Sequence, residues 1–206
     1  MENKYYAFKL VVMCVIVYIF QLTINGFTDL FVLNQSSFLE PWRFITAIFL
    51  HADILHILYN MFALALFGFI LESLIGSRKF LIIFFSTGII ANLIAVNFYN
   101  SSLGASGAIY GILGALIIIR PTMIVWAFGL PMPMFIAGIL WVVGSIMGII
   151  VPSNVGDIAH LSGIFTGILF GLLYRREYVK NNRIIKNPEI IIDEDSIRRW
   201  EDYHLR

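Results

Sequence analysis

Charge is scarce in this chain. Only 13% of its 206 residues are charged, and between residues 80 and 174 the only charged side chains are Arg120 and Asp157. An ordinary soluble domain holds about 25%. With 59% apolar residues and a mean hydropathy of +0.85, the composition excludes a soluble globular domain and points to a polytopic membrane protein. The formal net charge of +1, with its basic residues spread over separate loops, offers no basic patch to nucleic acid. Cysteine is nearly missing too. The lone Cys14, inside an apolar segment, excludes an intramolecular disulfide and a cysteine-rich metal site. The first apolar segment is too long for a signal-peptide core and lacks a small-x-small cleavage site, so it reads as a retained helix. No convincing internal repeat is present, which weighs against an inverted-repeat transporter.

What the chain does have is apolar length. A helix needs about 20 apolar residues to cross the hydrocarbon, and six segments qualify, at about 7–24, 53–74, 79–97, 105–119, 133–150 and 157–174. The expected fold is therefore an all-α membrane protein, a bundle of six transmembrane helices. Lys4 and Lys9 precede the first segment, Arg78 and Lys79 separate the second and third, and Arg120 separates the fourth and fifth. Arg175, Arg176, Lys180, Arg183 and Lys186 follow the sixth, whereas the opposite side carries only Arg43. The positive-inside rule then makes both termini cytoplasmic. Residues 25–52 form a long first outer loop whose mixture of aromatic and polar residues suits the membrane interface. Residues 121–132, with Pro121 and Pro131 and with Pro133 just beyond, read as an irregular inner connector. Residues 1–174 are expected to form the membrane domain and 175–206 a polar, charged cytoplasmic tail. The lack of an Arg/Ser-rich presequence points to a prokaryotic cell membrane.

The fourth segment is short. Ala105 to Ile119 is 15 residues, about 22 Å at ~1.5 Å per residue, against a hydrocarbon core about 30 Å thick. If it ends near Arg120, its other end stops below the outer surface, and residues 98–103 must descend to meet it. Non-helical backbone at that depth survives only when buried in protein or lining water. Ser106 is thus expected at the bottom of a wet pocket.

Ser106 stands in Gly104-Ala105-Ser106-Gly107, near the amino end of this segment, and His160 in Ala159-His160-Leu161-Ser162-Gly163. Polar groups at such depth are costly unless used, and together a serine and a histidine make a nucleophile and its base. Unpaired N–H groups at a helix start suit an oxyanion, and Gly104 and Gly107 permit a tight turn and close approach of a substrate backbone. Gly163, Gly167 and Gly171 recur every four residues after His160, and Gly107, Gly111 and Gly114 follow Ser106. Contact between these stripes would bring the two side chains within reach. The bland reading of the same glycines is helix packing alone. His56 and Asn60, four apart, share a helix face, and Asn60 offers a neutral N–H donor for an oxyanion or, equally, a structural interhelical bond. Asp157 either orients His160 or caps its helix. The histidines lack the His-Glu-x-x-His pattern of a zinc protease, and paired membrane carboxylates for an aspartyl mechanism are missing. No metal or other cofactor is expected.

These motifs resemble the rhomboid family of intramembrane serine proteases over about residues 7–174: Gly104 to Gly107, Ala159 to Gly163, His56 with Asn60 and the upstream His51, Trp42-Arg43 in the first loop, Tyr110 four residues after the serine, and Glu72 ending the second segment. The resemblance implies the minimal six-helix form with a protease domain over 1–174, a Ser106–His160 dyad, and an oxyanion site of Asn60, His56 and the Ser106 N–H. It further implies Tyr110 stacked on His160, Trp42 and Arg43 anchoring the first loop in the outer leaflet, and Glu72 bonding among cytoplasmic helix ends. Implied partners are transmembrane protein substrates, reaching the serine sideways from lipid near the fifth helix and the cap of residues 151–156. Two rival readings remain: a catalytically inactive relative that binds membrane clients, and a small-solute channel using the polar pocket.

Overall fold

A computed structural model describes residues 5–151 and 156–186, with Arg198 and Tyr203, and for 181–186 the backbone alone. The helices, in chain order, are α1 (Tyr6–Thr23), α2 (Phe27–Phe31), α3 (Arg43–Thr46), α4 (Ile54–Ala63), α5 (Phe69–Ile75), α6 (Ser77–Ala95), α7 (Ser106–Ile119), α8 (Met134–Ile150) and α9 (Asp157–Lys186). A π turn at Leu64–Gly68 joins α4 to α5, giving one long helix over Ile54–Ile75. This helix, α1, α6 and α9 are long and apolar enough to cross a membrane, while α7 and α8 are shorter apolar helices. All six apolar segments are helical, as backbone in lipid must be when it has no other partner. The chain is a helical membrane bundle. α9 continues past the end expected at residue 174. Most of the tail, and residues 152–155 of the expected cap, lie outside the described residues.

Polar side chains set the helix ends. The Asp53 carboxylate accepts the His56 N–H at 2.8 Å and caps α4. Buried Glu72, at the end of α5, accepts the Tyr6 and Ala7 N–H groups at 3.0 and 2.9 Å and the Ser77 hydroxyl at 2.6 Å. A carboxylate at a helix start is favoured by the dipole, so Glu72 ties α1 to the α5–α6 corner, where Gly76 turns the chain at φ 85°.

The first loop is built of short helices and sewn to the bundle. Arg43 points inward and is buried, donating through Nη1 to the Asp29 and Val32 carbonyls at 2.7 and 2.9 Å and through Nε to Glu40. Trp42 beside it is exposed. Leu33–Asn34 (β1) pairs antiparallel with Ser101–Ser102 (β2), and the Asn92 amide donates to the Phe44 carbonyl at 2.9 Å. The segment before α7 is thereby held against the loop, and the Gly104 N–H reaches the Ala47 carbonyl at 2.9 Å.

The connector expected to be irregular is instead a β-hairpin: β3 (Ile124–Ala127) pairs with β4 (Leu130–Pro133) across a Phe128-Gly129 turn. Both turn residues have positive φ, 54° and 77°, the geometry of a two-residue hairpin loop. The prolines conceal the hairpin in the sequence, because they are normally read as breaks.

Small residues set the depth of packing around α7. A Cβ added at Gly163 or Gly167 would collide with the Gly107 or Gly111 carbonyl, and one at Gly114 with the backbone of Ile164. The two stripes do meet, but not glycine Cα to glycine Cα throughout. The open sides of Gly107 and Gly111 face α6, where added Cβ atoms would meet Ala91 and Thr87. α7 is therefore gripped between α6 and α9, with α9 seated on its carbonyls.

His51 is fully buried, its ring edge-on to His56 at 5.1 Å between centroids. Its backbone is clamped from α1: the Gln21 amide accepts the His51 N–H at 2.9 Å and donates to its carbonyl at 3.2 Å. Among the described residues neither ring nitrogen has a hydrogen-bond partner. Burial, and secondarily a charge on His56, push its pKa down from 6.5 to about 4. The unfolded chain takes up this proton near pH 6.5 and the folded chain only near pH 4. Stability is therefore held above pH 6.5 and falls by up to about 3 kcal/mol as pH drops through that window. Thermal unfolding in detergent at pH 7 and pH 4.5 should show this loss, and His51→Phe should reduce it; an unchanged pH difference in the variant would refute the assignment.

Gly163→Val should cost about 1–3 kcal/mol or more through overpacking against backbone. Gly144, where an added Cβ meets nothing within 4 Å, should accept valine without such a loss. Equal stability of the two variants in the same detergent would contradict the close-packing account.

Candidate active site

Ser106 is the first residue of α7 and is only partly buried, while His160 lies one turn into α9 and is 7% exposed. Their side chains meet, with His160 Nε2 2.9 Å from Ser106 Oγ. In the tautomer that leaves Nε2 unprotonated, the serine hydroxyl donates to it, the arrangement of a nucleophile and its base. The contact follows from the helix packing. Ser106 precedes Gly107 by one residue and His160 precedes Gly163 by three, so the closest backbone approach lies within a turn of both.

The Tyr110 ring lies flat on His160, with centroids 4.1 Å apart and planes 3° from parallel. That stacking fixes the imidazole plane. Asp157 Oδ1 is 3.9 Å from His160 Nδ1, too far for a hydrogen bond. Asp157 opens α9, and its carboxylate occupies the space a Cβ on Gly148 of α8 would need. Of the two roles open to Asp157 in the sequence, orienting the imidazole by a direct hydrogen bond is thus absent from this geometry.

His56 approaches from α4. Its Nδ1 accepts the Ala52 N–H at 3.3 Å, which assigns the ring hydrogen to Nε2. The Nε2 edge faces Gly104: a Cβ there would lie 2.9 Å from His56 Cε1 and 3.0 Å from Nε2. Gly104 also has φ 126°, so both conformation and space require glycine. Gly107 differs, for a Cβ there would lie 2.6 Å from Ala91 Cβ of α6 rather than on the open side of the site. Asn60 is buried and one of its amide hydrogens goes to the His56 carbonyl at 2.8 Å. An amide has a second N–H to give.

Of the residues singled out in the sequence, Ser106, His160, Tyr110, His56 and Gly104 come together directly. Asn60 and His51 adjoin His56, and Gly107 and Gly163 set the helix spacing. Trp42, Arg43 and Glu72 lie in the scaffold. Sequence reasoning missed Gln21, which clamps His51, and Tyr99, whose hydroxyl accepts the Ile158 N–H at 3.1 Å near the start of α9. Gln21 carried a usable signal: an amide inside an otherwise apolar helix needs a partner.

Electrostatically the site is sparse in formal charge. The uncharged donors around the site are the His56 Nε2–H beside Gly104, the Asn60 carboxamide next to His56 and the first N–H groups of α7, and the dipole of α7 favours negative charge at its start. Such an arrangement can deprotonate a hydroxyl and hold a transient oxyanion.

Comparisons with known proteins bear on the family of the chain. The model for the Rhomboid domain matches residues 39–177. The chain is 29% identical to the Rhomboid protease GlpG of Haemophilus influenzae over 177 residues, covering 80% of this chain and 88% of that protein. It is 32% identical over 140 residues to the Putative rhomboid protease YdcA of Bacillus subtilis, covering 65% of this chain and 67% of that one. It is 30% identical over 136 residues to RHOMBOID-like protein 6, mitochondrial, of Arabidopsis thaliana. That match takes in 65% of this chain but spans only 44% of the plant protein. With the Rhomboid domain matched over more than half of this chain, the chain belongs to the rhomboid family.

Proposed function

We propose that this protein is an intramembrane serine endopeptidase that hydrolyses peptide bonds in or near the transmembrane segments of other membrane proteins. The observation that carries this reading is the 2.9 Å contact between Ser106 Oγ and His160 Nε2 at the start of a short apolar helix. The names of the bacterial relatives, both called rhomboid proteases, support it.

In this mechanism His160 Nε2 takes the hydroxyl proton as Ser106 Oγ attacks the scissile carbonyl, then returns it to the leaving amine; water repeats the cycle on the acyl-enzyme. The imidazolium is held by the Tyr110 ring, and among the described residues the nearby Asp157 carboxylate is 3.9 Å away, beyond hydrogen-bond reach, which supports a dyad. The oxyanion is received by the Ser106 N–H, His56 Nε2–H and the second amide hydrogen of Asn60. His51 acts behind His56, filling the space that keeps its ring turned toward Gly104. No cofactor takes part. The six helices lie in the membrane of a prokaryotic cell with both termini cytoplasmic, the fourth stopping short of the outer surface, and the loop charges support this orientation. Substrate approaches from lipid beside α8, and the cleaved segments lie near their outer ends, where helices unwind readily.

Three outcomes are expected. Purified protein in detergent should be labelled on Ser106 by a fluorophosphonate probe, while Ser106→Ala and His160→Ala should not be. Labelling that survives in Ser106→Ala would sink the mechanism. Cleavage of a model transmembrane substrate should fall by about 10³-fold or more in Ser106→Ala, whereas no cleavage by a folded wild type would favour the client-binding reading. Asn60→Ala and His56→Ala should each lower kcat by about 10²–10³-fold, with KM little changed; a loss confined to KM would assign these residues to substrate binding instead.

A further inference from the structure

The hairpin between α7 and α8 has no part in the chemistry above, yet it is built for an apolar setting. No charged residue occurs between Arg120 and Asp157. β3 alternates, with Val125 and Ala127 buried and Ile124 and Trp126 exposed at 63% and 68%. Phe128 at the tip and Leu130 on β4 are exposed at 61% and 62%. In water this would be a large apolar surface with no cover.

The hairpin does not hang away from the bundle. Its base is tied to the first turn of α8 by the Met134 N–H to the Met123 carbonyl at 2.8 Å and the Phe135 N–H to the Pro121 carbonyl at 3.0 Å. Its tip lies against the middle of α8, with the Phe128 and Trp141 rings 6.0 Å apart. Trp141 stands seven residues beyond Met134, about 10 Å along the axis at ~1.5 Å per residue. The strands therefore run back alongside α8. The exposed face of the hairpin continues the exposed apolar surface of that helix, which includes Phe135, Ile136 and Ile139.

The prolines complete the pattern. Residues facing each other in an antiparallel ladder alternate between bonded and non-bonded pairs, and a proline cannot donate to its partner strand. Pro131 and Pro133 pair with Trp126 and Ile124, two apart, so both take non-bonded positions, where an ordinary residue would aim its N–H outward. Proline removes that donor, and the open edge of β4 presents no N–H at these positions to surroundings that cannot accept it.

We propose that residues 124–133 form a re-entrant hairpin embedded in the bilayer, in the leaflet at the end of α7 away from Ser106, with phospholipid acyl chains covering the outer face of Ile124 and Trp126 and the exposed Leu130 side chain beside the turn. Trp141 also meets Phe67 of the π turn edge-to-face at 5.8 Å. The hairpin, α8 and the helix over Ile54–Ile75 thus form one aromatic row, and lipid packed on the hairpin bears on the position of α8.

The test is depth. Ile124→Cys and Leu130→Cys, each in a Cys14→Ala background, are spin-labelled and reconstituted in phosphatidylcholine vesicles, with Trp126 left in place. Power saturation with oxygen and with a water-soluble nickel chelate is compared with labels at Ile139→Cys on the exposed face of α8 and at exposed Lys180→Cys. Both hairpin labels should match Ile139, open to oxygen and shielded from nickel. Nickel access equal to that at Lys180 would overturn the proposal by placing the hairpin in water. Shielding from both reagents would overturn it by showing that protein, such as a second copy, covers the face. Unfolding curves close to that of the Cys14→Ala parent qualify each variant, and the two positions on separate strands keep the test decisive if one fails to fold.

Discussion

The seating of α9 on the carbonyls of α7 is the contact on which the rest depends. In lipid, helices gain little from hiding apolar surface, and association rests on close van der Waals approach. Here Gly163 and Gly167 let α9 lie directly on the Gly107 and Gly111 carbonyls, leaving no room for a Cβ. That spacing, together with the ring stacking of Tyr110 on His160, holds an imidazole nitrogen 2.9 Å from a serine oxygen. A reactive geometry of this tolerance could not rest on long, flexible side chains.

The second constraint is the disposal of polar groups. Glu72 closes the start of α1, Arg43 satisfies loop carbonyls, Asn92 reaches the Phe44 carbonyl and Gln21 brackets the His51 peptide. All but the Arg43 bonds, which lie within the first loop, join elements far apart in sequence, and each replaces water that the surroundings do not supply. These bonds fix the first loop and the segment before α7 as one body. That body holds His56 against Gly104 and allows irregular backbone to exist beside the serine.

The two ends of the bundle consequently differ. Around Ser106, loop, hydrogen-bonded turn and helix start combine into a partly open polar site. At the far end of α7 the connecting segment is apolar and closes on itself as a hairpin against α8. One end admits polar chemistry, while the other presents an apolar surface.

Much of this was legible in the sequence, and for a definable reason. Uninterrupted apolar length announces itself, so the six apolar segments stood out and each is helical, most with ends within two residues of those found. A serine, histidine, asparagine or glutamine inside such a span is conspicuous against it. Ser106 and His160 were visible on those grounds, and Gln21 was visible but unread. The glycine spacing announced a close contact between α7 and α9. It did not reveal that Gly107 and Gly111 turn their open sides to α6, because a missing side chain says nothing about which neighbour fills its place. The hairpin was hidden because prolines at non-bonded ladder positions look the same in sequence as prolines that break a chain. The tautomer of His56, the plane of His160 and the 3.9 Å gap to Asp157 were decided only by the tertiary structure. Composition and periodicity determine which segments enter the membrane, whereas angles and distances between side chains arise only once those segments pack against one another.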